Sequence, residues 1–476
     1  MSQSIAVIIA TTIILGGTFA LNLFISKTIA RREASSASDN WEVGGRSLPL
    51  YVVVGTQFAT AMGGGILVGQ VGNGYKNGFS VMLYGILCQL AFIILMFIAR
   101  WLRENQFATV PEILQSFSGP SKSVRIIAGI LSIIVPMGWI CGQLSAFGKL
   151  YASITGIPTP MLIVFLAAVS LFFVMPAGLK TVAWTDFIFG ILMVVTSIFV
   201  CKYALGLSGG ISHVMNSVPT EIVKMPDAFF SVGPYTTLLW IFSLVPGGLT
   251  NQMYYQRIFA CKEIKQVKTS LWITALVCIS AYVWAVIVGL SVRSLNPGLA
   301  DSEMATGWLL TQMPTWIVAI FSGLVIAAIL STVSSGVQSV VVNLNRDIYR
   351  ILRPDVSEKE SLILSKILSA VVIAVCVILA LYFPSVISML VTSYSFSAAG
   401  LLCPIFIGYI LRNKNIITKN GILTGMVAGI AACAISMNFK TSIPYVIWGI
   451  IPSGIAMILV SLIDKRTTKT TVSTKE

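Results

Sequence analysis

Four hydroxyl side chains inside one apolar run carry the first chemical signal, Ala327-Ala328-Ile329-Leu330-Ser331-Thr332-Val333-Ser334-Ser335. On a helix the Ala328 carbonyl lies over the side chains three and four residues on. The Ser331 and Thr332 hydroxyls therefore sit beside it, and Ser334 and Ser335 fall one turn deeper. A hard monovalent cation is held by several neutral oxygens, which a carbonyl, two hydroxyls and a stretch of unwound backbone supply together. The competing reading has these hydroxyls bonding back to their own helix. Two segments offer unwound backbone: Ala59-Thr60-Ala61-Met62-Gly63-Gly64-Gly65-Ile66 and Pro246-Gly247-Gly248-Leu249-Thr250-Asn251-Gln252. Glycine triplets and a Pro-Gly-Gly step are poor helix interiors, and backbone freed at bilayer depth must be buried in protein or line a polar cavity. Small residues also serve close helix packing. Two breaks separated by five spans, however, match the paired interrupted helices that frame a midplane binding site. Asp186, in Trp184-Thr185-Asp186, is an acid near a span with no cationic neighbour in sequence. Acids inside membranes are costly and usually functional; interfacial solvation near the helix end is the alternative.

The elements that must position these groups follow from composition. The 476-residue chain is 56% apolar and only 10% charged, with mean hydropathy +0.90, where a soluble protein would be about 25% charged. Soluble enzymes, disordered regulators and disulfide scaffolds are excluded. Thirteen apolar windows fall between residues 4 and 463, which predicts an all-α integral membrane protein of about 13 transmembrane helices at about 20 residues per crossing. The first window follows the uncharged Met1-Ser2-Gln3-Ser4 and precedes Lys27, Arg31 and Arg32, the reverse of a signal peptide's charge order. An uncleaved crossing with its N-terminus outside is expected. About 25 of the 31 Lys and Arg residues gather in alternate connections, which predicts an odd number of spans and a cytoplasmic C-terminus in a multi-pass protein of the cell membrane. The net charge of +14 is then a topology signal, with attraction to membrane lipid as a side effect and no nucleic acid implied. The eight cysteines are scattered without a C-x-x-C pair, and His213 stands alone in a polar connection, so no transition-metal site is expected. The spans hold no histidine, no carboxylate pair and no H-E-x-x-H motif, so no enzyme chemistry is expected either.

Four segments taken together resemble the sodium:solute symporter family over nearly the whole chain. They are Gly44-Gly45-Arg46-Ser47-Leu48-Pro49 before the first break, Gly178-Leu179-Lys180-Thr181-Val182-Ala183-Trp184-Thr185-Asp186, the Ser/Thr-rich helix, and Asp347-Ile348-Tyr349 just after it. The resemblance implies a leucine-transporter-like fold cycling by alternating access. Its five-plus-five inverted-repeat core has two broken helices, one extra N-terminal helix and two extra C-terminal ones. The implied organisation is a single polytopic domain: extra helix 4–25, first repeat 48–206, second repeat 234–411, C-terminal helices 421–463 and cytoplasmic tail 464–476. Na+ is the implied coupling ion, with no organic cofactor. Carried onto this chain, the family's principal sodium site is the carbonyls of Ala59 and Met62, the carbonyl of Ala328 and the hydroxyls of Ser331 and Thr332. Some members bind a second sodium with a set that Asp186, Ser331, Ser334 and Ser335 match; in relatives with one coupled ion the aspartate assists ion release.

Specificity positions depart from the better-known branches. Ile66 and Gly85 stand where sugar transporters carry a glutamine and a glutamate, and Leu244 and Gly248 where proline transporters carry a tryptophan and a tyrosine. Choline-type members are similar in Gly63-Gly64-Gly65 and Gln252-Met253-Tyr254-Tyr255-Gln256-Arg257, yet Ala61 and Asn251 replace the tryptophans of that branch's aromatic cage. The cavity expected from these comparisons is lined by Thr60, Gly64, Trp139, Gln143, Thr250, Asn251, Tyr394 and Ser395. Its mixed amide, hydroxyl and aromatic character suits a small polar organic solute, with interhelical glue as the alternative role of each residue. Lys149 is expected to snorkel from the outer end of its helix. The function expected is a sodium-coupled secondary active importer, a symporter working as a monomer. The alternatives are a proton-coupled transporter of the same fold using Asp186, or a transporter-derived channel or sensor.

Overall fold

The computed structural model describes residues 3–32, 46–174, 179–383, 385–439 and 441–473; Gly44, Gly45 and Gly178 of the motifs above lie outside them. Among the described residues every regular element is helical, apart from an isolated backbone bridge between Leu48 and Cys261. Helix α1 (Gln3–Arg32) precedes a broken helix made of α2 (Leu50–Ala61) and α3 (Gly65–Asn77), bent by 47°. Next come α4 (Ser80–Glu104), the short α5 (Val110–Ser118), α6 (Lys122–Thr155), α7 (Thr159–Val174) and α8 (Leu179–Leu207). A second broken helix consists of α9 (Pro234–Leu249) and α10 (Gln252–Ala260). It is followed by α11 (Ile264–Leu295), the short α12 (Ala305–Thr311), the Ser/Thr-rich α13 (Thr315–Leu352) and α14 (Glu358–Tyr382). The chain closes with α15 (Val386–Leu411), α16 (Lys419–Met437) and α17 (Tyr445–Ser473).

Ten of these helices are long and apolar enough to cross a bilayer, or eleven when α2 and α3 count as one span. The other two of the thirteen apolar windows fall on α7, with 16 residues, and on the α9/α10 pair, with 16 and 9. A 16-residue helix rises about 24 Å, short of the ~30 Å hydrocarbon core, so length and composition alone stop below thirteen.

Helix α13 is the hub. Every residue over 321–343 is buried, and the helix packs against α1, α6 and α8, as a helix apolar on all faces must. Helix α2 lies on α8 and α11. Large apolar side chains on the outer helices face away from the protein, among them Phe24, Phe172, Phe199 and Ile378.

The connections rich in Lys and Arg meet at one end of the bundle. Arg46 donates to the carbonyls of Gln106 at 2.7 Å, Phe107 at 3.3 Å and Phe259 at 3.4 Å. Arg125 pairs with Glu112 at 3.1 Å and Asp347 at 2.9 Å, and Arg346 with Glu112 at 2.7 Å. The Asp347-Ile348-Tyr349 motif is thereby tied to the α4–α6 connection. At this end the Leu48–Cys261 bridge also joins the start of the first broken helix to the end of the second. The opposite end opens into a cavity of about 490 Å³ whose rim includes Lys76, Ser231, Glu303, Ser385 and Tyr445. Lys149 lies at this end too. It is 9% exposed and bonded to Glu303 at 2.6 Å and Asp301 at 2.8 Å. The expected snorkelling is therefore replaced by a buried ion pair, because two acids from the α11–α12 connection reach it inside the protein.

Candidate functional site

The first break is the point where the backbone ladder stops. Met62 N–H closes α2 on the Phe58 carbonyl at 2.8 Å, and the ladder resumes with the N–H groups of Ile66 and Leu67, both 3.1 Å from the Gly63 carbonyl. In between, among the described residues, no backbone N–H reaches the carbonyls of Ala59 or Met62. Both residues are buried, so these free acceptors are enclosed by protein. The freed Gly64 N–H donates to Gln143 Oε1 at 2.6 Å. A Cβ on Gly63 would lie 2.9 Å from Thr332 Oγ1 and 2.7 Å from Gln143 Oε1; glycine is required because two polar side chains fill that space. Thr332 thus meets the turn that exposes the two carbonyls. The Ser331 and Thr332 hydroxyls donate to the Ala328 carbonyl at 2.9 and 3.0 Å, as the back-bonding reading has it. Each hydroxyl oxygen still keeps lone pairs free for a cation.

Gly64 gives the first prediction. A Cβ there overlaps the Ala146 Cβ and crowds Gln143 Oε1 at 3.1 Å. Overpacking of this kind costs about 1–3 kcal/mol. Gly64→Ala is expected to lower thermal stability and reduce sodium-dependent stabilisation by about tenfold in apparent affinity. The Gly64→Ala/Ala146→Gly exchange returns the missing space and should recover most of both. Melting curves against sodium concentration check it.

Asp186, on α8, is fully buried, which removes interfacial solvation as its explanation. Its Oδ2 accepts from Thr56 Oγ1 at 2.6 Å, Thr60 Oγ1 at 3.5 Å and Ser335 Oγ at 3.4 Å, while Oδ1 has no partner. Thr56 and Thr60 are four apart and share one face of α2. Ser334 is buried nearby in sequence, but among the described residues it makes no hydrogen bond to Asp186.

The residue that sequence reasoning missed is Arg257. It is 1% exposed on α10, inside the protein. Its Nη2 lies 3.9 Å from Asp186 Oδ2 and donates to Thr60 Oγ1 at 3.1 Å and Ser335 Oγ at 3.0 Å; Nη1 donates to the Met253 carbonyl at 3.1 Å. One guanidinium therefore joins α10, α2, α8 and α13. A signal was present: Arg257 sits inside Met253-Tyr254-Tyr255-Gln256-Arg257-Ile258-Phe259-Ala260, and an acid and a base that both lie within apolar runs are natural partners.

Four of the expected cavity residues, Thr60, Trp139, Gln143 and Tyr394, line one buried cavity together with Tyr84, Phe92, Tyr254 and Tyr282. Trp139 Nε1 donates to Tyr394 Oη at 3.1 Å. Gly64 stands behind the wall on Gln143. Thr250, Asn251 and Ser395 do not line it. Thr250 bonds Ser397 at 2.7 Å, Ser395 bonds Ser243 at 2.7 Å, and Asn251 caps α10 through Met253 N–H at 3.0 Å. Thr250 and Ser395 thereby join α9 to α15, and Asn251 serves its own helix. The second break also falls later than Pro246-Gly247-Gly248, at Thr250 and Asn251, with Pro246 inside α9. Its glycines serve close packing against Tyr394 and Ala91, and Tyr255 Oη takes the Leu249 carbonyl at 2.7 Å.

Known proteins agree with this architecture. The sodium:solute symporter family model matches residues 41–429. The high-affinity proline transporter PutP of Bacillus subtilis (strain 168) is 26% identical over 438 residues, covering 86% of this chain and 88% of that one. The high-affinity choline transporter 1 of Caenorhabditis elegans is 25% identical over 385 residues; the alignment covers 74% of this chain and 64% of the transporter's own length. Among solved structures, the substrate-bound outward-open state of a Na+-coupled sialic acid symporter superposes with a TM-score of 0.80, covering 95% of this chain and 96% of that one. At 16% identity that likeness shows the fold alone. With the family model spanning most of its length, both breaks included, the chain belongs to the sodium:solute symporter family.

Proposed function

We propose that the chain imports a small polar organic solute, coupled to one sodium ion, by alternating access. The observation that carries this reading is the pair of unpaired carbonyls at Ala59 and Met62 beside Thr332. With the Ala328 carbonyl and the Ser331 hydroxyl they make a set of neutral oxygens suited to Na+. An ion held there ties the first broken helix to α13 and so favours the conformation in which the solute cavity is assembled. Solute and ion then promote each other's binding by linkage. The membrane potential contributes roughly 2.3 kcal/mol per charge per 100 mV, close to fiftyfold in accumulation for one ion.

Arg257 favours one ion over two. A second sodium beside Asp186 would place two positive charges on one buried carboxylate, with a desolvation penalty of several kcal/mol for the added ion. Asp186 instead receives the departing ion on its unpartnered Oδ1, with Ser335 alongside. The 490 Å³ cavity faces the outside, the N-terminus lies outside and the C-terminus in the cytoplasm. The clustering of the Lys- and Arg-rich connections at the other end supports that orientation. All of these groups come from one chain, so a monomer suffices.

Purified protein in liposomes tests the coupling, with the solute chosen by its ability to raise the melting temperature in sodium. An inward sodium gradient should drive accumulation, and a proton gradient in sodium-free buffer should not. Equal accumulation under the proton gradient alone would sink the sodium reading in favour of a proton-coupled one through Asp186.

A further inference from the structure

Buried polar groups continue along α13 beyond the level of Asp186. Ser335, Ser339, Asn343 and Asp347 recur at every fourth position and form one stripe that turns slowly around the helix. All four are fully buried. The stripe starts at the proposed ion site, where Ser335 donates to Asp186 at 3.4 Å. It ends in the charged cluster, where Asp347 accepts from Thr109 at 3.1 Å and pairs with Arg125 at 2.9 Å. From Ser335 to Asp347 the helix rises about 18 Å. The lower part of the stripe is unsatisfied: among the described residues the Ser339 hydroxyl, both amide atoms of Asn343 and Asp347 Oδ2 have no hydrogen-bond partner. Ser339 does not even bond back to its own helix, as Ser331 and Thr332 do. Gln256, beside Arg257 on α10, is also fully buried with neither amide atom bonded, and α10 packs against α13.

A buried donor or acceptor left unpaired is costly, and the rest of this stretch is built from Val337, Val340, Val341 and Val342. Polar side chains kept on one face against that cost are accounted for by a second conformation in which water and an ion reach them. We infer that Ser339 and Asn343 line the sodium ion's exit route, sealed in this conformation and wetted when the Lys- and Arg-rich end of the bundle opens. The inference rests on the importer reading, in which Asp186 receives the departing ion, and carries the ion from that carboxylate to the surface. A hard cation moves between oxygens. The Ser339 hydroxyl, Asn343 Oδ1 and Asp347 Oδ2 offer one at each step of about 6 Å along the helix.

Thiol labelling of the full-length protein in liposomes tests the route without a solute. Ser339→Cys, Asn343→Cys and, on the opposite face of α13, Val341→Cys are treated with a cationic, water-soluble thiol reagent. Labelling is counted above that of the parent with its eight cysteines. Sodium holds the sealed conformation in the importer reading. Ser339→Cys and Asn343→Cys should therefore react at least about tenfold faster in sodium-free buffer than in saturating sodium, with Val341→Cys unreactive in both. Asn343→Leu supplies a second measurement. It removes two unpaired atoms at similar volume, so it should melt at or above the parent temperature and keep the parent's sodium response. Its maximal uptake of the solute selected by the melting screen should fall about tenfold. The inference is overturned if neither stripe cysteine reacts faster than Val341→Cys in sodium-free buffer. It is equally overturned if Asn343→Leu melts below the parent and transports at the parental rate, which is the signature of a packing role. In both cases the sodium response survives and the importer reading stands. Loss of any sodium effect in the unmodified protein is the separate result that counts against the importer itself.

Discussion

Replacing Ser331 and Thr332 together by Ala is expected to raise the sodium concentration that half-saturates thermal stabilisation and uptake by about a hundredfold or more. The two hydroxyls are two of the five oxygens assigned to the ion. An interaction with a charged partner is worth about 1.5–3 kcal/mol each, so their joint loss amounts to about two to four decades in affinity. Either single replacement should give about a tenfold rise or more. Stability without sodium decides between the two roles these hydroxyls could have. Both hydroxyls donate to the Ala328 carbonyl of their own helix, and Ala is the stronger helix former. The double variant should therefore melt near the parent temperature in sodium-free buffer while losing the rise that sodium brings. If sodium affinity is unchanged in the double variant, the hydroxyls are internal helix bonds and nothing more.

The groups of the proposed ion site carry local signals: Ser331 and Thr332 stand three and four residues after Ala328, and the glycine triplet interrupts an apolar run, while the choice of the Ala59 and Met62 carbonyls came from the family resemblance. Arg257 was not legible in the same way: Asp186 lies 71 residues earlier, and a cation near a span's end reads as part of a connection until the fold brings its guanidinium to Asp186. The cavity walls failed for a different reason. Tyr84, Gln89 and Tyr282 lie on helices that are apolar on most faces, so periodicity cannot tell which face turns inward. The second break lies inside the 246–252 stretch read from the sequence but at its later end: proline disfavours a helix interior, yet α9 continues through Pro246 and stops only at Leu249. Likewise Lys149 read as snorkelling because Asp301 and Glu303, its partners, are more than 150 residues away.

The pairing of Arg257 with Asp186 carries the other large effect. Arg257→Gln removes the only cation that contacts Asp186 among the described residues, leaving a carboxylate with no exposure. Breaking a buried pair from one side costs about 3–5 kcal/mol. At a pH that keeps it ionised, the carboxylate is relieved by capturing a cation from solution, and its Oδ1 is already without a partner. The variant should therefore melt well below the parent in sodium-free buffer and recover more steeply than the parent as sodium is added. In uptake, the charge moved per solute should rise from about one toward about two, since the ion now held at Asp186 replaces a fixed charge that never left. Asp186→Asn should also be less stable than the parent, because it strands the guanidinium, but sodium cannot rescue a buried cation. The Asp186→Asn/Arg257→Gln pair removes both charges and should be more stable than either single variant, with a coupling of several kcal/mol in the cycle. It should keep one charge per solute while releasing sodium more slowly, since the exit carboxylate is gone. A charge-to-solute ratio that stays at one in Arg257→Gln, with no added sodium response, would mean that Arg257 organises the helices without occupying a cation's place.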